Sequence, residues 1–514
     1  PHTVRVADPS PPPPMNLRTA ARDWISRHPR LARRLDHLNQ HRRMLVALFV
    51  LLAHAAGILT SVRAIMEVRT AQGAVAWAIS LVTFPYVAVP AYWVLGRSKF
   101  HGYVAARRAE STETDPVARA YVATLKERGL LAEADRQRPL LVERLAILPF
   151  TTGNDAELLL NGDATFASIF DGISRATNYV LVEFYILRDD STGRELKTRL
   201  IERARAGVRC HLLFDEVGSR LPTSFLDPLR EAGVRVFPFN TTQGKANRFQ
   251  INFRNHRKIV VVDGREAWVG GLNVGDEYRG LDPKFGFWRD THLRLAGPVV
   301  QCVQVPFIED WHWATRETLP GLDWEPRPAP SGRALPILCL PSGPADPLET
   351  CTLFFLNGIN RAQRRLWIAS PYFVPDEQFI SALQLAALRG VDVRLLIPDK
   401  SDNALVQLSA WSYLQDLQKV GIQVFRYTRG FMHHKVVVAD DACTVGTANF
   451  DNRSFRLNFE ITMAIADPEF TQGVAAMLEQ DFANATPMKS DELERRGFLF
   501  RFAVRASRLT APVQ

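Results

Sequence analysis

A chain of 514 residues is too long for one ordinary domain and points to between two and four units. With 46% hydrophobic and 10% aromatic residues it has ample material for packed cores, which excludes wholesale disorder. A formal charge of +9 favours an anionic partner without choosing among nucleic acid, a lipid surface and a phosphorylated small molecule. The five cysteines, Cys210, Cys302, Cys339, Cys351 and Cys443, stand singly; that suits buried thiols in a reducing compartment and speaks against a disulfide framework or a zinc site.

Residues 1–14 are proline-rich and are expected to be extended or disordered; either this segment is processed or Met15 is the start. Residues 16–43 carry eight arginines against Asp23 and Asp36. Two apolar runs follow, 44–62, interrupted only by His54, and 74–96, with no charge at all. Each can cross a hydrocarbon core of ~30 Å at ~1.5 Å per residue, and proline at 85 and 90 is tolerated in such helices as a kink. The expectation is a hairpin of two transmembrane helices. A signal peptide, two buried core helices, and one span with a surface-lying helix are the competing readings. Arginines crowd before the first run and R-S-K-F-H-G-Y-V-A-A-R-R follows the second, while the loop has Arg63 and Arg69 against Glu67. By the positive-inside rule both ends face the cytoplasm.

Residues 109–139 form a charged, helical connection, after which a βα pattern begins. Strands are predicted over 179–186 and 208–214 around a helix over 193–206 that ends at Gly207. The same order returns with strands over 366–373 and 391–397 around a helix over 377–389 that ends at Gly390. G-V-R-V-F-P-F in the first set matches G-I-Q-V-F-R-Y in the second. The fold class is therefore α/β, with two similar halves built on mixed sheets flanked by helices. P-R-P-A-P-S-G-R after Glu325 marks the join. The segments are 1–43 (basic, proline-rich), 44–96 (membrane hairpin), 97–150 (connection), 151–325 (first half) and 326–514 (second half with a helical tail). The tail interleaves aromatics and arginines, R-R-G-F-L-F-R-F-A-V-R-A-S-R-L, and reads equally as a packed terminal helix or a membrane-surface contact.

Residues 255–273 read N-H-R-K-I-V-V-V-D-G-R-E-A-W-V-G-G-L-N, and 432–449 read M-H-H-K-V-V-V-A-D-D-A-C-T-V-G-T-A-N. Both carry H-x-K-x4-D followed by a glycine turn and an asparagine: His256, Lys258, Asp263 and Asn273, then His433, Lys435, Asp440 and Asn449. Side chains two apart on a strand share a face, so each histidine projects with its lysine, and His434 falls on the opposite side. Two such units brought together supply two imidazoles, two ammonium groups and two carboxamides, a set suited to a phosphodiester. One imidazole can attack phosphorus to form a phosphohistidine, and the other can protonate the leaving alkoxide. The lysines, Asn273 and Asn449 can hold the non-bridging oxygens. No metal or other cofactor is called for, since the lysines provide the positive charge. The second copy is one residue shorter between Asp440 and Gly446, which would shift Thr447 and Asn449.

The two stretches resemble the paired signature of the phospholipase D superfamily. Further strings, V-L-G-R-S-K-F-H-G-Y, E-F-Y-I-L-R-D-D, F-D-E-V-G-S, G-G-L-N-V-G-D-E-Y, W-R-D-T-H-L-R-L-A-G-P, S-P-Y-F-V-P-D-E and F-D-N-R-S-F-R-L-N-F-E, extend the likeness to its bacterial cardiolipin synthase branch over residues 44–457. The resemblance implies that the phosphatidyl group of one phosphatidylglycerol passes to another, releasing glycerol. It also implies that each catalytic histidine is held by a carboxylate further along its own half, Asp290 in the first and Glu460 in the second. Asp263 and Asp440, although part of the signature, would brace the halves. His256 is taken as nucleophile and His433 as acid and base. The implied partners are phosphatidylglycerol, other anionic phospholipids and the bilayer, not nucleic acid, with homo-oligomerisation left open. The implied location is the bacterial inner membrane, multi-pass, with the catalytic part on the cytoplasmic side. A hydrolytic phospholipase D and a nucleic-acid phosphodiesterase are the alternatives; a non-catalytic scaffold would be expected to lack a histidine or lysine, and neither motif does.

Overall fold

The computed structural model describes residues 29–68, 70–96, 100, 103, 118–132, 140–146, 148–239 and 252–514. The proline-rich stretch, the arginines before residue 29, the R-S-K after the second apolar run and most of the connection over 97–139 lie outside the described residues. The chain divides into two compact units, within residues 1–96 and 97–514.

In the first unit, α1 (Pro29–Glu67) contains a 28-residue apolar stretch, Gln40–Glu67, long enough to cross a membrane. The second run does not form a matching helix. It makes α2 (Ala71–Thr83) and α3 (Pro85–Leu95), 13 and 11 residues long, so the expectation of two full-length helices is corrected to one long and two short. The break has a local cause: Pro85 lacks an N–H and disfavours the helical conformation of the residue before it, and Phe84 sits at φ −131°, ψ 56°. Pro90, by contrast, is accommodated inside α3. The three helices pack through Ala64, Leu81, Ala88 and Tyr92. Gly57 allows the close crossing, since a Cβ there would meet Leu81 O at 2.2 Å. Leu45, Leu51, Leu59, Met66, Ile79 and Val87 face outward and exposed.

The second unit is built on one large mixed sheet. Its first half runs β1 (Thr151–Leu160), α4 (Asn161–Arg175), β2 (Tyr179–Phe184), α5 (Ser191–Arg205), β3 (Arg209–Phe214), α6 (Thr223–Glu231), β4 (Arg235–Pro238), β5 (Lys258–Val262), β6 (Glu266–Gly270), β7 (Thr291–Ala296) and α7 (Val299–Thr315). The second half runs β8 (Leu335–Ser342), α8 (Thr350–Arg361), β9 (Arg365–Ala369), α9 (Glu377–Leu388), β10 (Asp392–Pro398), α10 (Ala404–Gln418), β11 (Gln423–Tyr427), β12 (Val436–Ala439), β13 (Ala442–Gly446), β14 (Asn458–Ile465) and α11 (Pro468–Ala483), with α12 (Phe498–Ser507) in the tail. The strand order is β4-β3-β2-β5-β6-β7-β1-β8-β14-β13-β12-β9-β10-β11, with Ala485–Pro487 added at the far edge. Read outward from the central β1–β8 pair, both halves give the same sequence of strands. β1 serves both sides of the seam by changing partner: its start pairs with β8, Asp155 to Leu160 pair with β7, and the register slips where Gly153 takes φ 78°.

The strands are buried on both faces, so their sequences are apolar runs without alternation. On β5, Ile259 and Val261 join a core shared by the two halves, while Val260 and Val262 join a core private to the first. The shared core takes α7 through Val303, Phe307 and Trp311, and α11 through Val474, Leu478 and Phe482. The private cores lie under α4–α6 on one side and α8–α10 on the other.

Asp263 and Asp440 occupy the turns at the far end of the β5–β6 and β12–β13 hairpins, with φ of 52° and 53°. Asp263 accepts from the backbone N–H groups of Thr177, Asn178 and Tyr179 at 2.7–2.8 Å. Asp440 accepts from those of Gln363, Arg364 and Arg365 at 2.8–3.1 Å. Each carboxylate thus ties its hairpin turn to the loop entering β2 or β9 of its own half, roughly 17 Å along the strand from the lysine. Replacing Asp263 by Ala should cost about 1–3 kcal/mol through the orphaned donors. It should lower the melting temperature while the folded fraction keeps its turnover; loss of turnover at unchanged melting temperature would contradict this placement.

Candidate active site

Each histidine is positioned by a short strand that crosses the seam. Arg254–Asn255 pairs in parallel with the start of β14, Arg254 opposite Asn458 and Asn255 opposite Phe459. Phe431–Met432 pairs in parallel with Trp288–Arg289, in the same order. One residue further on, the His256 N–H donates to Phe459 O at 2.9 Å and the His433 N–H to Arg289 O at 2.8 Å. The next residues on the partner segments are Glu460 and Asp290. His256 Nδ1 therefore bonds Glu460 at 2.9 Å, and His433 Nδ1 bonds Asp290 at 2.7 Å. The expectation that each histidine is held within its own half is overturned. The pairing crosses because backbone register across the seam, not distance along the chain, sets which carboxylate each ring meets.

The lysines follow at the strand starts. Lys258 Nζ donates to His256 O at 2.6 Å, and Lys435 Nζ to His433 O at 2.6 Å while also lying 2.9 Å from His433 Nδ1. The residues between histidine and lysine point the other way. Arg257 donates to Asp310 on α7 at 2.6 Å, and His434 Nε2 lies 3.0 Å from Asp481 on α11. Asp310 also receives the Tyr103 hydroxyl, and Asp481 also pairs with Arg289. His434 is fully buried in this network and serves packing rather than the phosphate.

Asn273 is spent on both ends: its Oδ1 accepts from the Ile186 N–H at 3.1 Å and its Nδ2 donates to the Tyr278 hydroxyl at 3.1 Å. Asn449 receives no such partner for its buried Oδ1. The shorter second motif does not displace it. Val262 pairs with Glu266 across a three-residue turn and Ala439 with Ala442 across a two-residue turn, so the difference is absorbed at the distal end. Gly271 N–H to Thr291 O and Thr447 N–H to Ile461 O, each 2.9 Å, then restore equivalence. What does differ is the side chain. Thr447 donates its hydroxyl to Glu460 at 2.6 Å, whereas a Cβ on Gly271 would lie 2.1 Å from Asp290 Oδ1.

Sequence reasoning did not single out the walls of the site. The Tyr185 ring packs 5.1 Å from His256; Trp288 and Phe431 pack 5.1 and 5.8 Å from His433, and Tyr278 and Tyr372 6.4 Å from it. Tyr185 and Tyr372 follow β2 and β9 at matching places, E-F-Y and S-P-Y, which is the signal available in the sequence.

Burial governs the electrostatics. It lowers His256 to about 4 and His433 to about 3 against the pull of their carboxylates, so both imidazoles are neutral in the empty site. Burial also lowers Lys258 to about 7 and Lys435 to about 8. It acts in the opposite sense on Asp290, but Lys435 and His433 outweigh it and bring that carboxyl to about 2. Glu460 is likewise held below its ordinary value by His256 despite burial. The result is two neutral rings, each fixed through Nδ1 with Nε2 left for chemistry, beside two ammonium groups whose charge an anionic ligand would secure.

This geometry has relatives. The family model described as "Cardiolipin synthase, PLD-like domain" matches residues 169–281 and 355–482. A cardiolipin synthase A from Pseudomonas fluorescens is 44% identical over 93% of this chain and 100% of its own length. The chain belongs to the cardiolipin synthase family. A second member, cardiolipin synthase A of Pseudomonas entomophila, is 45% identical over 90% of this chain and 97% of its own. The fold is shared with a phosphatidylserine synthase of Haemophilus influenzae, whose crystal structure aligns with TM-score 0.53 at 14% identity over 70% of this chain and 95% of that one. The two family-model segments end close to the catalytic motifs on either side of the seam, so the likeness spans both halves of the cardiolipin synthase site.

Two outcomes follow from the geometry. Glu460→Gln should depress turnover on the order of 10²- to 10⁴-fold with the fold retained, because it removes the anion that orients His256 across the seam; near-normal turnover would contradict the crossed pairing. In kcat/KM against pH, activity should fall on the alkaline side with an apparent pKa between about 7 and 8, as Lys258 and Lys435 lose their protons. It should also fall on the acid side toward about 4, as the attacking imidazole becomes protonated. Lys258→Arg, which keeps its proton throughout, should move the alkaline limb upward.

Proposed function

We propose that the chain is a membrane phosphatidyltransferase that makes cardiolipin and glycerol from two phosphatidylglycerol molecules through a phosphohistidine. The observation that carries this is the pair of imidazoles, each fixed at Nδ1 by a carboxylate of the opposite half and flanked by its own lysine. The donor phosphodiester lies between the rings. Its negative charge draws the two lysines to their protonated forms and raises the second imidazole enough to carry a proton. His256 Nε2 attacks phosphorus, the bond to the headgroup glycerol oxygen breaks, and His433 gives that oxygen its proton. The terminal hydroxyl of a second phosphatidylglycerol then returns a proton to His433 and attacks phosphorus, breaking the P–N bond to free His256. Lys258 and Lys435 hold the non-bridging oxygens as charge builds on them. Asn449, with its unpartnered Oδ1, is suited to receive a substrate hydroxyl, and Asn273 shapes the cradle through Tyr278. Asp263 and Asp440 brace the hairpins.

The first unit supports a location in the bacterial inner membrane. α1 is long and apolar enough to span, and α2 and α3 taken as one bent element return the chain, so that the second unit sits on the cytoplasmic side as the arginine flanks require. The exposed leucines and isoleucines of this unit are then covered by lipid.

The test is incubation of the membrane-embedded protein with labelled phosphatidylglycerol, separating lipids and mapping the trapped adduct. Cardiolipin with equimolar glycerol, and a phosphatidyl adduct on His256 that is lost in His256→Ala, is the expected result. Phosphatidic acid with glycerol would replace transfer by hydrolysis, and an adduct on His433 would reverse the two roles.

A further inference from the structure

The two half-sites are alike in backbone and unlike in charge. Two residues before the catalytic histidine stands Arg254 in the first motif and Phe431 in the second. Four residues after the motif asparagine stands Glu277 in the first half and Arg453 in the second. Phe431 lies on Trp288, with ring centroids 4.7 Å apart, and Glu277 is tied to Arg188 at 3.1 Å, so the His433 side presents aromatic rings and a neutralised acid. The His256 side has instead gathered two guanidinium groups, one from each half.

Their placement is well defined. Arg453 donates to Asn252 O at 2.6 Å and to Asn252 Oδ1 at 3.1 Å, which fixes it against the segment that leads to His256. Arg254 belongs to that same segment and hydrogen-bonds its own neighbour Phe253 O at 2.6 Å. Both guanidinium groups face the phenol of Tyr185, whose ring is the one packed 5.1 Å from His256. The acids nearby, Asp215 and Asp451, are turned to backbone donors: Asp215 accepts from Val217, Gly218 and Asn255, and Asp451 from Ser454. Burying two like charges side by side is unfavourable unless an anion joins them. Lys258 and Lys435 are already committed to the reacting phosphate, so the arginine pair is a second, separate positive site.

A reaction that joins two anionic lipids must bring two phosphates into one site, and only one of them reacts. We propose that Arg254 and Arg453 form an anion subsite beside His256 that holds the non-reacting phosphodiester of the acceptor lipid. The inference rests on the transferase reading above. Bidentate guanidinium groups suit a phosphate monoanion, and the aromatic side at His433 is left for the uncharged glycerol that departs. Preference for a phosphate-bearing acceptor over water or a simple alcohol then comes from this pair and not from the catalytic histidines.

The experiment uses the full chain in mixed micelles with phosphatidylglycerol as donor and ethanol as a competing neutral acceptor, so that cardiolipin and phosphatidylethanol form from the same intermediate. In Arg254→Gln the ratio of cardiolipin to phosphatidylethanol should fall at least tenfold, and Arg254→Lys should restore much of it. A ratio within twofold of the parent would overturn the subsite. Arg254 is chosen because Arg453 also holds Asn252. Glycerol phosphate should inhibit cardiolipin formation by the parent and lose that effect in Arg254→Gln; inhibition that persists unchanged would equally overturn the proposal. If the parent yields only phosphatidic acid, the transferase reading fails, and the glycerol phosphate arm, read on hydrolysis, still decides for or against the arginine pair.

Discussion

Everything in the catalytic centre depends on two short pieces of parallel backbone pairing. Arg254–Asn255 lies along β14 and Phe431–Met432 lies along Trp288–Arg289, and these few hydrogen bonds determine which carboxylate meets which imidazole. A slip of one residue in either would turn the histidine to the opposite face, where Arg257 and His434 now stand, and would put a residue with no acid–base chemistry opposite phosphorus. The register is secured from behind by Asp310 and Asp481, which pair with those outward-facing residues from α7 and α11. The helices are rooted in the core that the halves share, so the packing of the whole unit is expressed as a few tenths of an ångström at the rings.

The seam gives this cross-pairing its rigidity. β1 and β8 join the two half-sheets into one, and β1 manages it by exchanging partners part-way along its length. A continuous sheet with helices on both faces leaves the halves little freedom to hinge, which suits a site whose catalytic groups come one from each side. Preorganisation of this kind lets two buried, neutral imidazoles wait for an anion that supplies the charge they need.

The catalytic pairs were readable in the sequence because their chemistry is confined to a spacing of two on a strand, repeated with its glycine and asparagine. The βα order was readable from helix-ending glycines at 207 and 390. The carboxylate partners were named correctly as residues but assigned to the wrong rings, since nothing local in W-R-D or N-F-E tells which strand will lie beside it. The one-residue difference between the motifs looked like a perturbation of Asn449 and proved to be confined to a turn. The second apolar run was legible as apolar but not as two helices; the break is due to the Phe84–Pro85 step, whose effect on a helix depends on what surrounds it. The division of charge between the half-sites was hidden because Arg254, Arg453, Phe431 and Glu277 come from four distant segments.

The crossed pairing also has a consequence for how the molecule is made. Synthesis proceeds from the amino end, so the first half emerges with His256 in place and Glu460 still some two hundred residues away in the unmade chain. Its sheet meanwhile ends at β1, a strand whose free edge must wait for β8. β14 carries Glu460 and is inserted between β8 and β13 near the end of translation. The active site therefore comes into being in a single late event, and a truncated nascent chain is catalytically silent by construction. A cell that releases this polypeptide early gains an open sheet edge and no lipid chemistry.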